Sequence, residues 1–218
     1  MVTLPFLTSN QGSLTFFTGP MCCGKTLELV RHLHIFREQR IPMTCLRPSM
    51  DTRTEKVQSR SGLLYDGVAV PADDLLAIER AMIGKAVIGI DELQFFPIGL
   101  VSILESELRK GKTILVSGLD TDFRGQLFPT AAALMALPET IVQRLRAVCS
   151  VCHQYNATRT QRLRNGKPVP VDDPRVVVEE SQDDITYEAR CLEHHEIDRC
   201  LLFKDIEEIK HEPVRFGN

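Results

Sequence analysis

Eight consecutive residues constrain the fold of this 218-residue chain more than any other feature: Gly19-Pro20-Met21-Cys22-Cys23-Gly24-Lys25-Thr26. They match the pattern G-x-x-x-x-G-K-[ST], in which backbone N–H groups curl around phosphate oxygens. An apolar run at residues 14–18 precedes the motif, and apolar residues at helical spacing follow it. When a strand, a loop and a helix follow one another in this way, the positive N-terminal end of the helix dipole points at the phosphates that the loop binds. A chance glycine-rich turn is the alternative, and this context disfavours it.

A bound Mg²⁺ ion is expected beside such a loop. Lys25 supplies a compact charge for the β- and γ-phosphates, and the Thr26 hydroxyl can ligate Mg²⁺. The nearly all-apolar residues 86–90 predict a buried strand, which ends at Asp91 and Glu92. Ligands of open α/β sheets bind beyond the carboxyl ends of the strands, so we expect Asp91 to hold the metal and Glu92 to face a substrate. The alternative is an acidic pair that opens a helix, where the dipole favours carboxylates.

Apolar runs alternate with amphipathic stretches along the first two thirds of the chain. Further strands are predicted at residues 43–46 and 113–116, and a polar loop at residues 49–62. This alternation predicts an α/β fold of the P-loop NTPase type, with a mostly parallel sheet and helices on both of its faces. The helical stripes are formed by Leu29, Val30, Leu33 and Phe36, and by Val101, Leu104 and Leu108.

Composition excludes several classes of protein. The net charge of −3 provides no positive field for a nucleic acid, and no apolar stretch approaches the roughly 18 residues that a membrane span requires. The N-terminus lacks the pattern of a secretion signal. Seven cysteines, an odd number spread over a long chain, do not indicate a disulfide framework. We therefore expect a cytoplasmic protein with neither a nucleic-acid nor a membrane partner.

Four residues near the C-terminus form paired metal-binding knuckles. Cys149-x-x-Cys152 and Cys191-x-x-His194 would offer the four N/S ligands that tetrahedral zinc prefers. A redox C-x-x-C is disfavoured because no thioredoxin-like context surrounds it. His195 could also reach the metal, although the spacing favours His194. The pattern predicts a small zinc-ribbon domain, interrupted by a long excursion at residues 158–186 that would be functional or disordered.

Four stretches of the chain together carry a family resemblance. They are the phosphate loop, Asp91-Glu-Leu-Gln-Phe-Phe-Pro97, Leu119-Asp-Thr-Asp-Phe-Arg124 and Tyr187-Glu-Ala-Arg-Cys191. With these motifs the chain resembles the cellular-type (type II) thymidine kinases over roughly residues 13–194. The resemblance implies an ATP:thymidine 5′-phosphotransferase of pyrimidine salvage that also accepts deoxyuridine. It further implies a homotetramer and feedback inhibition by thymidine triphosphate.

The resemblance also implies roles for individual residues. Glu92 would be the general base that accepts the proton of the nucleoside 5′-hydroxyl. Asp51 would support the metal, while Arg53 and Lys25 would stabilise phosphoryl charge. The implied ATP site comprises the eight residues of the phosphate loop together with Asp51, Arg53, Asp91, Glu92, Leu93 and Gln94.

A nucleoside pocket and a lid complete the resemblance. The residues that correspond to the thymine pocket are Met21, Phe95, Leu119, Phe123 and Phe128, for which core packing is the alternative. The excursion would be a lasso that covers the base through the backbone of Val176, Val177 and Val178, while Tyr187 contacts the sugar–base region. This chain departs from the family at Glu179-Glu180 and at Leu192.

The predicted organisation is a nucleotide-binding domain at residues 13–146, a zinc ribbon with its lasso at residues 147–196 and a partly helical tail at residues 197–218. Two other functions remain open. An ATP-driven nucleic-acid motor is disfavoured by the charge and by the lack of a basic, aromatic strip. A relative that binds nucleotide without catalysis is disfavoured by the intact Lys25, Asp91 and Glu92.

Overall fold

A computed structural model describes residues 12–49, 57–58, 64–176 and 185–197. Six of the first eight strands form one sheet of order β5-β2-β6-β7-β1-β8, in which every pairing is parallel. The parallel sheet predicted from the sequence is therefore confirmed. The strands are β1 Ser13–Thr18, β2 Met43–Pro48, β3 Val57–Gln58, β4 Leu64–Tyr65, β5 Val68–Val70, β6 Val87–Ile90, β7 Thr113–Ser117 and β8 Thr140–Arg144.

Helices cover both faces of this sheet, as predicted. They are α1 Lys25–Glu38, α2 Leu75–Ala81, α3 Gly99–Arg109 and α4 Pro129–Ala136, with a 3₁₀ turn at Leu93–Phe95. Successive strand residues point to opposite faces. Phe16 therefore packs in the core beneath α2, α3 and α4, whereas Phe17 packs against α1.

Some elements differ from the sequence prediction. Strands β5 and β8 lie at the two edges of the sheet, where no strand was predicted, and both carry exposed residues that weaken the apolar pattern. Strand β3 lies inside the segment predicted as a loop and pairs antiparallel with β4. A strand of two residues is too short for its side-chain alternation to be recognised in a sequence.

Gly89 lets α1 lie close to the middle of the sheet. A Cβ atom at this position would lie 3.1 Å from both Leu33 Cδ1 on α1 and Cys45 Sγ on β2. Contacts that short are rare, so a larger residue would push the helix outward or displace the thiol. The close packing fixes the middle of α1 relative to β6.

A small antiparallel sheet forms the C-terminal part of the described chain. It consists of β9 Arg159–Arg164, β10 Lys167–Pro168 and β11 Ile185–Arg190, in the order β10-β9-β11. The Met21 N–H donates to the Thr160 hydroxyl over 3.0 Å and thereby joins this sheet to the phosphate loop. The helix predicted at residues 197–210 lies outside the described residues, apart from position 197. Within the described ranges, no helix has the length and apolar character needed to cross a membrane.

Candidate active site

The loop between β1 and α1 has the conformation that phosphate binding requires. Gly19 and Gly24 have φ angles of 141° and 88°, which few other residues adopt. A Cβ at Gly19 would lie 2.4 Å from the carbonyl oxygen of Leu145, which follows β8. Only glycine fits at this point, and the strand–loop–helix arrangement predicted from the motif is confirmed.

Lys25 lies at the first turn of α1 and folds back onto this loop. Its ammonium group donates to the carbonyl oxygen of Pro20 over 2.7 Å. The thiol of Cys23 lies 3.9 Å from the same nitrogen, and burial raises the pKa of that thiol. Cys22 is exposed. The charge of Lys25 is thus held at the loop, where the backbone would gather an anion.

Asp91 is buried immediately after β6 and is hydrogen-bonded from two sides. The Thr26 hydroxyl donates to its Oδ1 over 3.2 Å, and the Ser117 hydroxyl donates to the same oxygen. Burial and the neighbouring charge of Glu92 raise the pKa of Asp91 to about 7. The structure thus brings Thr26 and Asp91 together as predicted. A hydroxyl and a desolvated carboxylate are a donor set that fits Mg²⁺.

Ser117 was not singled out from the sequence, and the topology explains its position. Strand β7 lies between β1, which leads into the phosphate loop, and β6, which leads to Asp91. The last residue of β7 therefore stands between the two. The signal available in the sequence was a polar residue directly after an apolar predicted strand. In the structure the side chain of Ser117 is fully buried.

Glu92 adopts a left-handed conformation, with φ 54° and ψ 49°, at the start of the 3₁₀ turn. Such a conformation is costly for a residue other than glycine and persists only where its surroundings hold it. Gln94 is part of those surroundings. Its side-chain amide donates to Glu92 Oε2 over 2.5 Å and accepts from the Leu119 N–H over 2.9 Å. Gln94 therefore ties the Glu92 carboxylate to the loop that follows β7.

The residues predicted for the thymine pocket have different surroundings. Phe128 lies in the main core, and Leu119 packs against that core. Core packing, the alternative considered from the sequence, is thus observed for these two. Met21 and Phe95 are half-buried, whereas Phe123 is 5% exposed and belongs to none of the three hydrophobic clusters of the described residues. The side chain of Leu93 is fully buried in the main core.

The small sheet covers Phe123. The guanidinium carbon of Arg162 on β9 lies 4.3 Å from the centre of the Phe123 ring and 5.3 Å from that of Tyr187 on β11. Arg162 was not recognised from the sequence, because an arginine in a polar strand carries no local signal of burial. Val176 is 41% exposed. Asp51, Arg53, Val177, Val178 and the Glu179-Glu180 pair lie outside the described residues.

Cys149, Cys152, Cys191 and His194 converge on one point. Their ligand atoms lie within 4.8 Å of one another, and Cys191 Sγ is 3.0 Å from His194 Nδ1. Burial opposes ionisation of Cys149, but hydrogen bonds from backbone N–H groups around it outweigh burial and lower its pKa to about 6. The thiolate is the form that binds metals, so the cluster fits a tetrahedral metal site.

The fourth member of this cluster is His194, as the spacing favoured. The ring of His195 has a different partner, because its Nε2 lies 2.8 Å from the carbonyl oxygen of Phe123. Adjacent histidines therefore face different parts of the molecule. One belongs to the metal-binding cluster and the other contacts the loop that carries Phe123.

Comparison with known proteins identifies relatives along nearly the whole chain. The family model described as thymidine kinase matches residues 12–195. A thymidine kinase of Coprothermobacter proteolyticus is 40% identical over 203 residues, which cover 91% of this chain and 99% of that protein. Those of Pyrobaculum aerophilum and Thermococcus kodakarensis are 38% and 39% identical, each over 84% of this chain and over 98% and 94% of their own lengths.

The hydrogen bond between Ser117 and Asp91 yields a prediction about stability. At pH 8, above the pKa of about 7, the Asp91 carboxylate is ionised and loses a charge-assisted bond in Ser117→Ala. We expect the free energy of unfolding in urea, without magnesium or nucleotide, to fall by about 1.5–3 kcal/mol. Ser102→Ala, at an exposed position of α3, is the matched control and should stay within about 0.5 kcal/mol. Equal effects of the two substitutions would contradict the role of Ser117.

Proposed function

The chain belongs to the thymidine kinase family, and on that premise we propose that it transfers the γ-phosphate of ATP to the 5′-hydroxyl of thymidine. The single observation that supports this best is the convergence of three features at one edge of the sheet. The phosphate loop follows β1, Asp91 and Glu92 follow β6, and the loop with Phe123 follows β7. Because the strands are parallel, their carboxyl ends meet at the same edge.

In this proposal the phosphate loop binds the β- and γ-phosphates of ATP. Backbone N–H groups of residues 19–24 would surround the oxygens, and the Lys25 ammonium would leave the Pro20 carbonyl for a phosphate. Thr26 and Asp91 would hold Mg²⁺, which neutralises the charge of the phosphates when bound. Asp51 and Arg53 retain the supporting roles that the family resemblance assigns to them.

Glu92 is the proposed general base. Gln94 holds its carboxylate in one orientation, and the left-handed backbone at Glu92 turns the chain between this residue and Asp91. The carboxylate would accept the proton of the 5′-hydroxyl while that oxygen attacks the γ-phosphorus, and the bond from this phosphorus to the β–γ bridging oxygen would break to release ADP. Two adjacent acidic residues would thus have separate tasks, one with the metal and one with the nucleophile.

The nucleoside would bind between the end of β7 and the small antiparallel sheet. Met21, Phe95 and Phe123 would contact the base, while Leu119 and Phe128 support the pocket from the core. Tyr187 would cover the sugar–base region, and the backbone of residues 176–178 would read the edge of the pyrimidine. The homotetramer and the inhibition by thymidine triphosphate that the resemblance implies are part of this proposal.

Zinc is the proposed occupant of the Cys3His cluster. Cys149 and Cys152 precede β9 and Cys191 follows β11, so one metal ion would join the two strands at the end where Arg159 pairs with Arg190. The domain boundaries proposed from the sequence place these ligands and both strands within residues 147–196. Zinc would contribute to folding of the lid, because metal binding and folding are coupled in such units.

Glu92→Gln tests the proposed base. The substitution preserves size but removes the proton acceptor, so kcat should fall by about 10² to 10⁴ while the KM values for ATP and thymidine change little. Glu105→Gln, on the solvent side of α3, is the control and should retain the wild-type kcat. A kcat of the Glu92 variant within a few-fold of wild type would exclude this residue as the base.

Elemental analysis tests the metal. We expect about one zinc ion per active chain, and loss of both zinc and lid stability in Cys149→Ser, because three ligands hold the metal far less tightly. Cys45→Ala is the control, since Cys45 lies on β2 in the core beneath α1. Fully active protein without zinc would refute the proposal.

A kinase assay across four nucleosides tests the proposed substrate. Thymine and uracil present an N3–H donor and two carbonyl acceptors, whereas cytosine reverses the pattern at N3 and at the 4-position. A mismatch leaves buried backbone groups without partners, so kcat/KM for deoxycytidine should be about 10²-fold or more below that for thymidine. Deoxyuridine should be accepted and deoxyguanosine rejected. Comparable values for deoxycytidine and thymidine would contradict this account of base selection.

A further inference from the structure

Arg162 is a charged residue in the middle of β9 whose side chain is only 3% exposed. Burying a guanidinium group is costly unless its N–H groups find acceptors and its charge finds a partner. Neither the phosphate loop nor the metal cluster requires an arginine at this position. Its contacts therefore indicate a separate task.

The two terminal nitrogens of Arg162 hold three consecutive residues of the chain. Nη1 donates to Asp173 Oδ2 over 2.9 Å and to the carbonyl oxygen of Pro174, and Nη2 donates to the carbonyl oxygen of Arg175 over 2.7 Å. These residues lead directly into Val176, the first of the three residues whose backbone is proposed to cover the base. One planar group thus holds residues 173–175 against β9.

The same guanidinium group lies over two aromatic rings. Phe123 comes from the loop after β7, and Tyr187 lies directly opposite Arg162 in the antiparallel pair of β9 and β11. A guanidinium above an aromatic ring is attracted by the negative face of the ring, most strongly where water is excluded. Arg162 therefore joins two walls of the proposed pocket to residues 173–175.

A second set of contacts anchors the same segment to the loop that carries Phe123. Arg175 Nε donates to Asp122 Oδ2 over 3.2 Å, and the buried Asp122 also pairs with Arg124. The backbone at position 175 is held by Arg162 while its side chain is held beside Phe123. Replacing Arg162 would remove only one of the two anchors of residues 173–175, so we expect the lid to remain folded.

Arg164, two residues along the same strand, provides an internal comparison. It donates to the other oxygen of Asp173 over 2.7 Å, and its side chain is 39% exposed. Within the part of the chain that the structure describes, it shares the ion pair with Asp173 but makes none of the carbonyl or ring contacts of Arg162. Comparing the two arginines thus separates the ion pair from the clamp on the rings and on residues 173–175.

We propose that Arg162 is a positioning residue for nucleoside binding, which holds Phe123, Tyr187 and residues 173–175 in one arrangement before the substrate arrives. The identity of the nucleoside rests on the proposed function, but the clamp itself does not. The clamp acts on the nucleoside side of the site, since the contacts of Arg162 lead to the lid and not to the phosphate loop.

The test compares Arg162→Met, Arg162→Lys and Arg164→Met in the full-length chain. Hydrogen–deuterium exchange without substrate follows residues 171–176, in which the Asp173 N–H is bonded to the Pro170 carbonyl oxygen. Steady-state kinetics give separate KM values for thymidine and ATP. Arg162→Met should speed exchange in this segment and raise the thymidine KM about tenfold or more, with the ATP KM within about twofold of wild type.

Arg162→Lys should give an intermediate increase, because lysine keeps the charge but not the planar pair of donors. Arg164→Met should leave the thymidine KM and the exchange within about twofold of wild type, since it loses only a partly exposed ion pair.

Equal effects of Arg162→Met and Arg164→Met would overturn the proposal, as would a parallel rise of both KM values with loss of zinc. If Arg162→Met does not fold, Arg162→Lys decides by the same two measurements. If the wild-type chain does not phosphorylate thymidine, the proposed function fails, and the exchange comparison alone decides whether the clamp exists.

Discussion

The buried carboxylate of Asp91 is the contact on which the arrangement of the site depends. Asp91 directly follows the central strand β6, and its carboxylate accepts hydrogen bonds from Thr26 at the start of α1 and from Ser117 at the end of β7. Three elements that approach the same edge of the sheet are thereby fixed relative to one another. Burial raises the pKa of this carboxyl to about 7, so the site favours a cation beside it at neutral pH.

The small sheet is connected to this centre at several points. Thr160 accepts from the backbone of the phosphate loop, His195 contacts the Phe123 carbonyl, and the guanidinium of Arg162 covers the Phe123 ring. The cysteine–histidine cluster lies before β9 and after β11, at the end of the strand pair where Arg159 pairs with Arg190. A metal there would therefore hold β9, which provides two of these three contacts, against β11. Its structural role would thus extend to the shape of the proposed nucleoside pocket.

The sequence predicted those features that are encoded in short, regular patterns. The phosphate loop and the cysteine–histidine knuckles are recognised by the fixed spacing of a few residue types. The buried strands are recognised as short apolar runs. Ser117 and Arg162 were missed because their roles depend on which strand lies beside which, and a local pattern does not contain strand order. For the same reason the sequence could not separate pocket contact from core packing for Phe128 and Leu119: in the structure Phe128 belongs to the main core and Leu119 packs against it.

Thermal stabilisation by ligands tests the central claim most directly, because it asks which molecule the assembled site recognises. Anything that binds only the folded state raises the melting temperature according to its concentration relative to its Kd. The account predicts that thymidine raises the melting temperature of the chain and that single-stranded DNA of equal nucleotide concentration does not. Stabilisation by single-stranded DNA without any effect of thymidine would contradict the account.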